Sequence, residues 1–392
     1  MNVETPEIKQ NWLNTFVLFS TPILALIFVP YHGIKFGFTA FDWTCFAFFM
    51  FATGTGITAG YHRLWSHKAY NASLPVRIWL AYWGGCATQN SIIKWSADHR
   101  RHHKFVDNND KDPYSAKKGF WFSHMGWILK DYQGEQPDLS NVNDLKKDPV
   151  VMIQDKFYVP LVIFSNIIVP ILIGWAYQKY TGHAGSIYGP LILAGLLRFV
   201  LNHHFTFFIN SACHFFGSQP YSNKDTSRDN FVLALVTYGE GYHNFHHTFQ
   251  ADYRNGIKWY HWDPTKWMIK GLNYFGLTSN LKKIPDTQIL KAITLHSLSQ
   301  KKEALYERLD LIKESNLYQK VETSFNELTQ SMNEWMEESQ KYFRLKKDKS
   351  VSHEDKQTYA AKLSELKAAF EEKKQQLMEL LTAPSINALQ AV

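Results

Sequence analysis

Apolar residues are arranged in two ways along the chain. Over roughly the first 210 residues they gather into four long runs, at 12–29, 39–59, 158–177 and 187–209. Each has the length and apolarity of a membrane-spanning helix, which needs about 20 mostly apolar residues to cross the hydrocarbon core. The runs form two pairs, joined by connections at 30–38 and 178–186 that carry one lysine each, Lys35 and Lys179. Nearly all other lysines and arginines lie in the leader, in 61–157 or after the fourth run. The bias of positive charge toward the cytoplasmic side therefore puts both termini there. The expected fold is all-α and integral to the membrane. Two helical hairpins in a membrane domain of residues 12–285 carry a cytosolic helical cap, built from 61–157 and 210–285, behind a cytosolic leader at 1–11. Asp42 and two glycines interrupt the second run, but two hairpins with basic flanks on one side are hard to reconcile with buried helices of a soluble protein. The stretch 79–93 is apolar but short and carries Gly84-Gly85, so it is expected to lie on or dip into the membrane.

From about residue 286 the pattern changes. Apolar residues recur singly, at Leu305, Leu309 and Ile312, at Val321, Phe325, Leu328, Met332 and Trp335, and at Leu363, Leu366, Phe370, Leu377 and Leu381. Spacings of three and four mark amphipathic helices. Residues 286–392 are thus expected to form two or three long helices that pack on the cap or self-associate.

Composition adds three constraints. A mean hydropathy of −0.29 fits a membrane portion joined to a polar one. The formal charge of +7 suits an anionic lipid surface or a phosphate-bearing substrate, and no nucleic-acid motif accompanies it. Cys45, Cys86 and Cys213 are odd in number, far apart and in apolar surroundings, as expected of buried thiols rather than a disulfide framework. The polar, acid-bearing N-terminus predicts a retained first span, not a cleaved signal peptide.

Nine of the 17 histidines fall in four short clusters: His62 and His67; His99, His102 and His103; His214, four residues after Asn210; and His243, His246 and His247. In each HxxHH cluster the spacing puts three imidazoles on one side of a helix. His62 and His67 would diverge by about 140° on an α-helix, so they converge only where that helix ends or distorts. Isolated His32, His183, His261, His296 and His353 are expected to be surface or core residues. His124, His203 and His204 are candidates for hydrogen bonds behind a site.

Imidazoles suit zinc, iron, copper or nickel, and nine are too many for one ion. No HExxH motif is present. Between residues 51 and 250 the only glutamates are Glu135 and Glu240, which excludes a carboxylate-bridged site on bundle helices. A nitrogen-rich pair of irons beside a membrane points instead to O₂ activation on a lipid-like substrate, giving an alkene or, by oxygen rebound, an alcohol.

The segments GITAGYHRLWSH, QNSIIKWSADHRRHHKFVDNNDKDPYSAKKGFWFSHMGWIL, INSACHFFG, GEGYHNFHHTFQADYRNG and WDPTKW closely resemble the membrane fatty acid desaturases, in particular their acyl-CoA delta-9 branch. The resemblance covers about residues 51–276. It implies one iron held by His62, His67, His99, His103 and His246, and a second held by His102, His214, His243 and His247 with Asn210 acting through a water. It also implies a bent acyl tunnel with Gln89, Trp95 and Thr206 at the bend, and a headgroup region at Asn90, Asp98, Trp127 and Lys130. The branch's animal members carry basic residues where this chain has Ala97 and Lys130-Asp131, so the coenzyme A phosphates are expected at Lys94, Lys117, Lys118 or Lys130, with an acyl carrier protein or lipid-linked acyl chain as alternatives. The implied reaction consumes O₂ and two electrons. The sequence shows no flavin, nicotinamide or iron–sulfur motif, so a separate donor of ferredoxin, rubredoxin or cytochrome b5 type is expected. A membrane hydroxylase or alkane monooxygenase, and a non-enzymatic metal-binding scaffold, are the competing readings.

Overall fold

The computed structural model describes residues 9–132, 138–183, 185, 187–310, 315–347 and 352–382. Glu135 and Ile312 lie outside the described residues. The chain divides into two compact units, residues 1–219 with 223–283, and residues 284–392 with 220–222.

In the first unit, three helices are long and apolar enough to cross a membrane: Trp12–Lys35, Tyr158–Thr181 and Leu191–Phe215. They coincide with the first, third and fourth predicted runs. The second run behaves differently. It starts with a capping box between Thr39 and Asp42 and is α-helical over Ala40–Thr55, 16 residues. It then continues unbroken through Gly56–Ser66 in the wider winding of a π-helix.

The helix Leu74–Cys86 crosses this π-helical segment at close range. A side chain at Gly56 would fall 2.4 Å from the Gly84 backbone nitrogen, and one at Gly84 2.3 Å from the Tyr61 ring. Gly84 therefore does not interrupt a helix; it lets two helices touch. Around this crossing lies the main core, with Ile57, Tyr61, Trp65, Leu80, Ile92 and Ile93 all buried. Two short antiparallel strand pairs tie distant segments together: Lys9–Gln10 with Lys130–Asp131, and Asn71–Ala72 with Thr278–Ser279.

The second unit consists of the helices Asp286–Asp310, Ser315–Lys347 and His353–Thr382. Its own core gathers Leu298, Leu305, Val321, Leu328, Met332, Trp335, Phe370 and Leu377, with Phe325, Leu363, Leu366 and Leu381 partly buried against them.

Candidate metal centre

The π-helical winding settles the problem posed by His62 and His67. Its hydrogen bonds run from residue i+5 to residue i, and the His67 N–H donates to the His62 carbonyl at 3.1 Å. Residues five apart then stand one above the other, with ring centroids at 4.8 Å. His99, His102 and His103 lie on the helix Ile92–Phe105. Asn210 ends the helix Arg198–Asn210, the backbone turns at Ser211, and His214 lies on the short helix Ala212–Phe215. His243, His246 and His247 occupy the single turn His243–Thr248.

These elements bring the nine imidazoles into two groups. His62, His67, His99, His103 and His246 form one; His102, His214, His243 and His247 form the other, and within each the potential ligand nitrogens lie within 4.8 Å of one another. The two HxxHH clusters are used reciprocally. His99 and His103 serve the first group while His102 serves the second; His243 and His247 serve the second while His246 serves the first. Each helix thus contributes to both groups instead of presenting three ligands to one.

The rings meet through Nε2. Separations are 2.9 Å for His62 and His246, 2.8 Å for His67 and His99, and 2.9 Å for His246 and His103. In the second group they are 3.1 Å for His243 with His214, 3.1 Å for His243 with His247, and 3.4 Å for His102 with His247. Nitrogens bound to one ion at about 2.0–2.1 Å are about 3 Å apart, so the donor set fits a metal in each group. Burial, and then neighbouring imidazoles, hold His67, His99, His103, His243, His246 and His247 well below the ordinary histidine range, leaving them neutral with lone pairs to donate.

Three of the opposite ring nitrogens face polar side chains. His102 Nδ1 lies 2.9 Å from Asp112 Oδ1, and Asp112 also accepts from the Asp107 and Tyr114 backbone N–H groups. His62 Nδ1 lies 2.8 Å from Glu240 Oε2. Glu240 accepts from buried Arg63, whose Nη1 also donates to Asp263 Oδ2 at 3.1 Å. His214 Nδ1 lies 2.8 Å from Thr226 Oγ1, which donates to Asp107 Oδ1. A carboxylate on Nδ1–H fixes the tautomer that points a bare Nε2 at the metal. Without a cation, such converging lone pairs repel.

Beside the first group opens a cavity of about 880 Å³. His62, His99, His102 and His243 reach its wall, as do Asn210 and all seven residues named for substrate: Gln89, Asn90, Trp95, Asp98, Trp127, Lys130 and Thr206. Gln89 Nε2 donates to Thr206 Oγ1 at 2.8 Å. Lys94 also lines the cavity; Lys117 and Lys118 do not. Trp127 Nε1 is buried with no partner among the described residues.

Sequence reasoning missed two sets of residues here. The orienting residues Asp107, Asp112, Thr226 and Glu240 carry no spacing signal relative to the histidines they serve. The start of the first helix, Asn11, Leu13 and Asn14, also lines the cavity, because the strand pair at Lys9–Gln10 draws the leader against Lys130–Asp131. Of the unclustered histidines, His124 Nε2 lies 3.1 Å from His204 Nδ1 and His124 Nδ1 lies 3.0 Å from Ser211 Oγ, whereas His203 faces backbone carbonyls. None of these three joins either group.

Apolar helices long enough to span a bilayer, joined to two adjoining all-histidine clusters, define an integral membrane protein with two groups of side chains that could each hold a metal ion. The chain belongs to the fatty acid desaturase family, whose profile matches residues 40–278. It is 43% identical over 284 residues to a probable acyl-CoA desaturase of Schizosaccharomyces pombe, covering 72% of this chain and 57% of that protein. It is 38% identical over 289 residues to acyl-CoA desaturase 1 of Saccharomyces cerevisiae, covering 72% and 54%. With human stearoyl-CoA desaturase 5 the identity is 39% over 244 residues, covering 62% and 72%. The match thus spans little more than half the length of the two yeast relatives.

Proposed function

We propose that the protein is an acyl-CoA desaturase that uses O₂ to introduce a cis double bond, at the delta-9 position, into a saturated long-chain acyl group. The observation that carries this reading is the cavity wall. Both histidine groups reach the space whose remaining lining includes every residue expected to meet an acyl chain. The names of the relatives, which include delta(9)-fatty-acid desaturases of Caenorhabditis elegans, support the same substrate class.

In this reading the two groups hold two iron ions, with Asn210 contributing through a water. When bound, the iron pair supplies the O₂ chemistry that removes one hydrogen from each of two adjacent methylenes. O₂ takes up those two hydrogens, two external electrons and two protons, and leaves as two waters. The protein's part is placement. Gln89, Trp95 and Thr206 hold the chain bent so that one methylene pair faces the irons, and a fixed near-attack position is worth several powers of ten in rate. Lys94 and Lys130 meet the coenzyme A phosphates, Trp127 Nε1 donates a hydrogen bond near the thioester, and Asn90 and Asp98 complete the headgroup region. Residues 39–59 form the second of four spans, with the termini, the cap and the site on the cytoplasmic side. Electrons arrive from a separate ferredoxin, rubredoxin or cytochrome b5 type protein.

Expression in a desaturase-deficient host, followed by mass spectrometry of dimethyl disulfide adducts, tests the reading. New sixteen- or eighteen-carbon monounsaturated acyl chains are expected; hydroxylated chains in their place would overturn it. His102→Ala and His246→Ala, one in each group, are expected to abolish product while the protein still enters the membrane. Retained product in either variant contradicts the ligand assignment.

A further inference from the structure

Within the fourth apolar segment lies a charged residue that neither the metal groups nor the cavity wall uses. Arg198 is fully buried. Its hydrogen-bond partners are neutral: Nε donates to the Ala194 carbonyl at 2.9 Å, Nη1 to the Cys86 carbonyl at 3.1 Å, and Nη2 to the Asn166 side-chain oxygen. A guanidinium at membrane depth is expensive and ordinarily marks function. Here its charge faces the carbonyl end of the helix Leu74–Cys86, where the helix dipole favours a cation.

The segment just past that helix end explains why the charge is kept. Thr88 and Asn90 have φ of 60° and 74°. Threonine is β-branched and rarely adopts this left-handed conformation, so the surroundings must impose it. Three contacts do so. Asn166 Nδ2 donates to Thr88 Oγ1 at 3.3 Å, His203 Nε2 lies 3.0 Å from the Thr88 carbonyl oxygen, and the Asn90 N–H donates to the Tyr158 hydroxyl at 2.9 Å. Asn166 is itself held by Arg198. Between Thr88 and Asn90 lies Gln89, whose amide reaches Thr206 along the cavity wall.

We infer that Arg198, acting through Asn166 and Cys86, is a positioning residue that fixes the Thr88–Asn90 segment and thereby sets which methylene pair of the acyl chain meets the metals. The inference rests on the desaturase reading. Arg198 touches neither substrate nor metal; it holds the segment that carries Gln89. If that segment shifts by on the order of an ångström, the bend moves along the chain and a neighbouring carbon pair is presented instead. The selectivity of the double-bond position, more than the rate, is the property this clamp controls.

The test compares the full chain with Arg198→Met and Thr88→Gly, each expressed in a desaturase-deficient host and analysed for double-bond position. Arg198→Met removes the clamp. Thr88→Gly, at a position that lines the cavity, removes the hydroxyl held by Asn166 and widens the backbone's freedom, and because glycine accepts the positive φ the fold can still form. The unsubstituted protein is expected to give one positional isomer. In both variants the share of neighbouring isomers should rise about tenfold, the equivalent of roughly 1.4 kcal/mol of lost discrimination. If the unsubstituted protein gives one isomer and either variant that makes product gives the same isomer at the same purity, the inference is wrong; Thr88→Gly keeps the test decisive should Arg198→Met make none. If the unsubstituted protein gives no monounsaturated product, the desaturase reading itself fails, and the inference falls with it.

Discussion

The nine clustered histidines are legible as a candidate metal site from their spacing, because few residue types offer uncharged nitrogen donors and these recur together in short segments. The residues that make those donors usable are not legible in the same way. Asp112 lies ten positions from His102, and Glu240 lies 178 from His62; only the folded chain shows that each faces a ring nitrogen. This matters for affinity as much as for geometry. Asp112→Asn keeps only one of the two oxygens that accept from the Asp107 and Tyr114 N–H groups, and it no longer favours one tautomer of His102. Metal retention is expected to fall about 10–100-fold, measured by competition with a chelator of known affinity. Unchanged retention would mean that the carboxylate does not orient the ring.

At the scale of elements, three spans followed from run length alone, since the hydrocarbon core imposes a minimum that loops and soluble helices do not need to meet. The second run shows why length is an incomplete guide. Its helix does not end near Ala59 but changes pitch at Gly56 and runs on to Ser66, and that change aligns His62 with His67. No propensity predicts π-helical winding, because it is stabilised by packing; here the crossing helix Leu74–Cys86 makes the contact. Gly56→Ala tests this packing. With a methyl group forced toward the Gly84 backbone nitrogen, the two helices must separate, at a cost of about 1–3 kcal/mol. A lower thermal midpoint in detergent and weaker metal retention are expected together, and an unchanged midpoint would show that the crossing tolerates the volume.

The whole molecule combines two kinds of folding. The first unit is organised around polar groups that must meet inside an apolar setting, and its arrangement depends on partners far apart in sequence. The second is organised by repeated apolar stripes on three helices, so its pattern could be read locally and its core gathers the residues of those stripes. Leu328→Ala, in the middle of that core, is expected to destabilise the C-terminal helices by about 2–5 kcal/mol, seen as faster hydrogen exchange across Ser315–Lys347. Metal content should not change, because the ligands all belong to the first unit. A loss of metal in this variant would reveal a dependence that two separate cores do not account for. The proposed chemistry depends on how many ions the first unit holds and through which atoms. X-ray absorption together with metal analysis of the purified, iron-loaded protein measures this most directly. Two irons per chain in a shell dominated by imidazole nitrogen is the predicted result. One iron or none, or a shell dominated by sulfur or carboxylate oxygen, would contradict it.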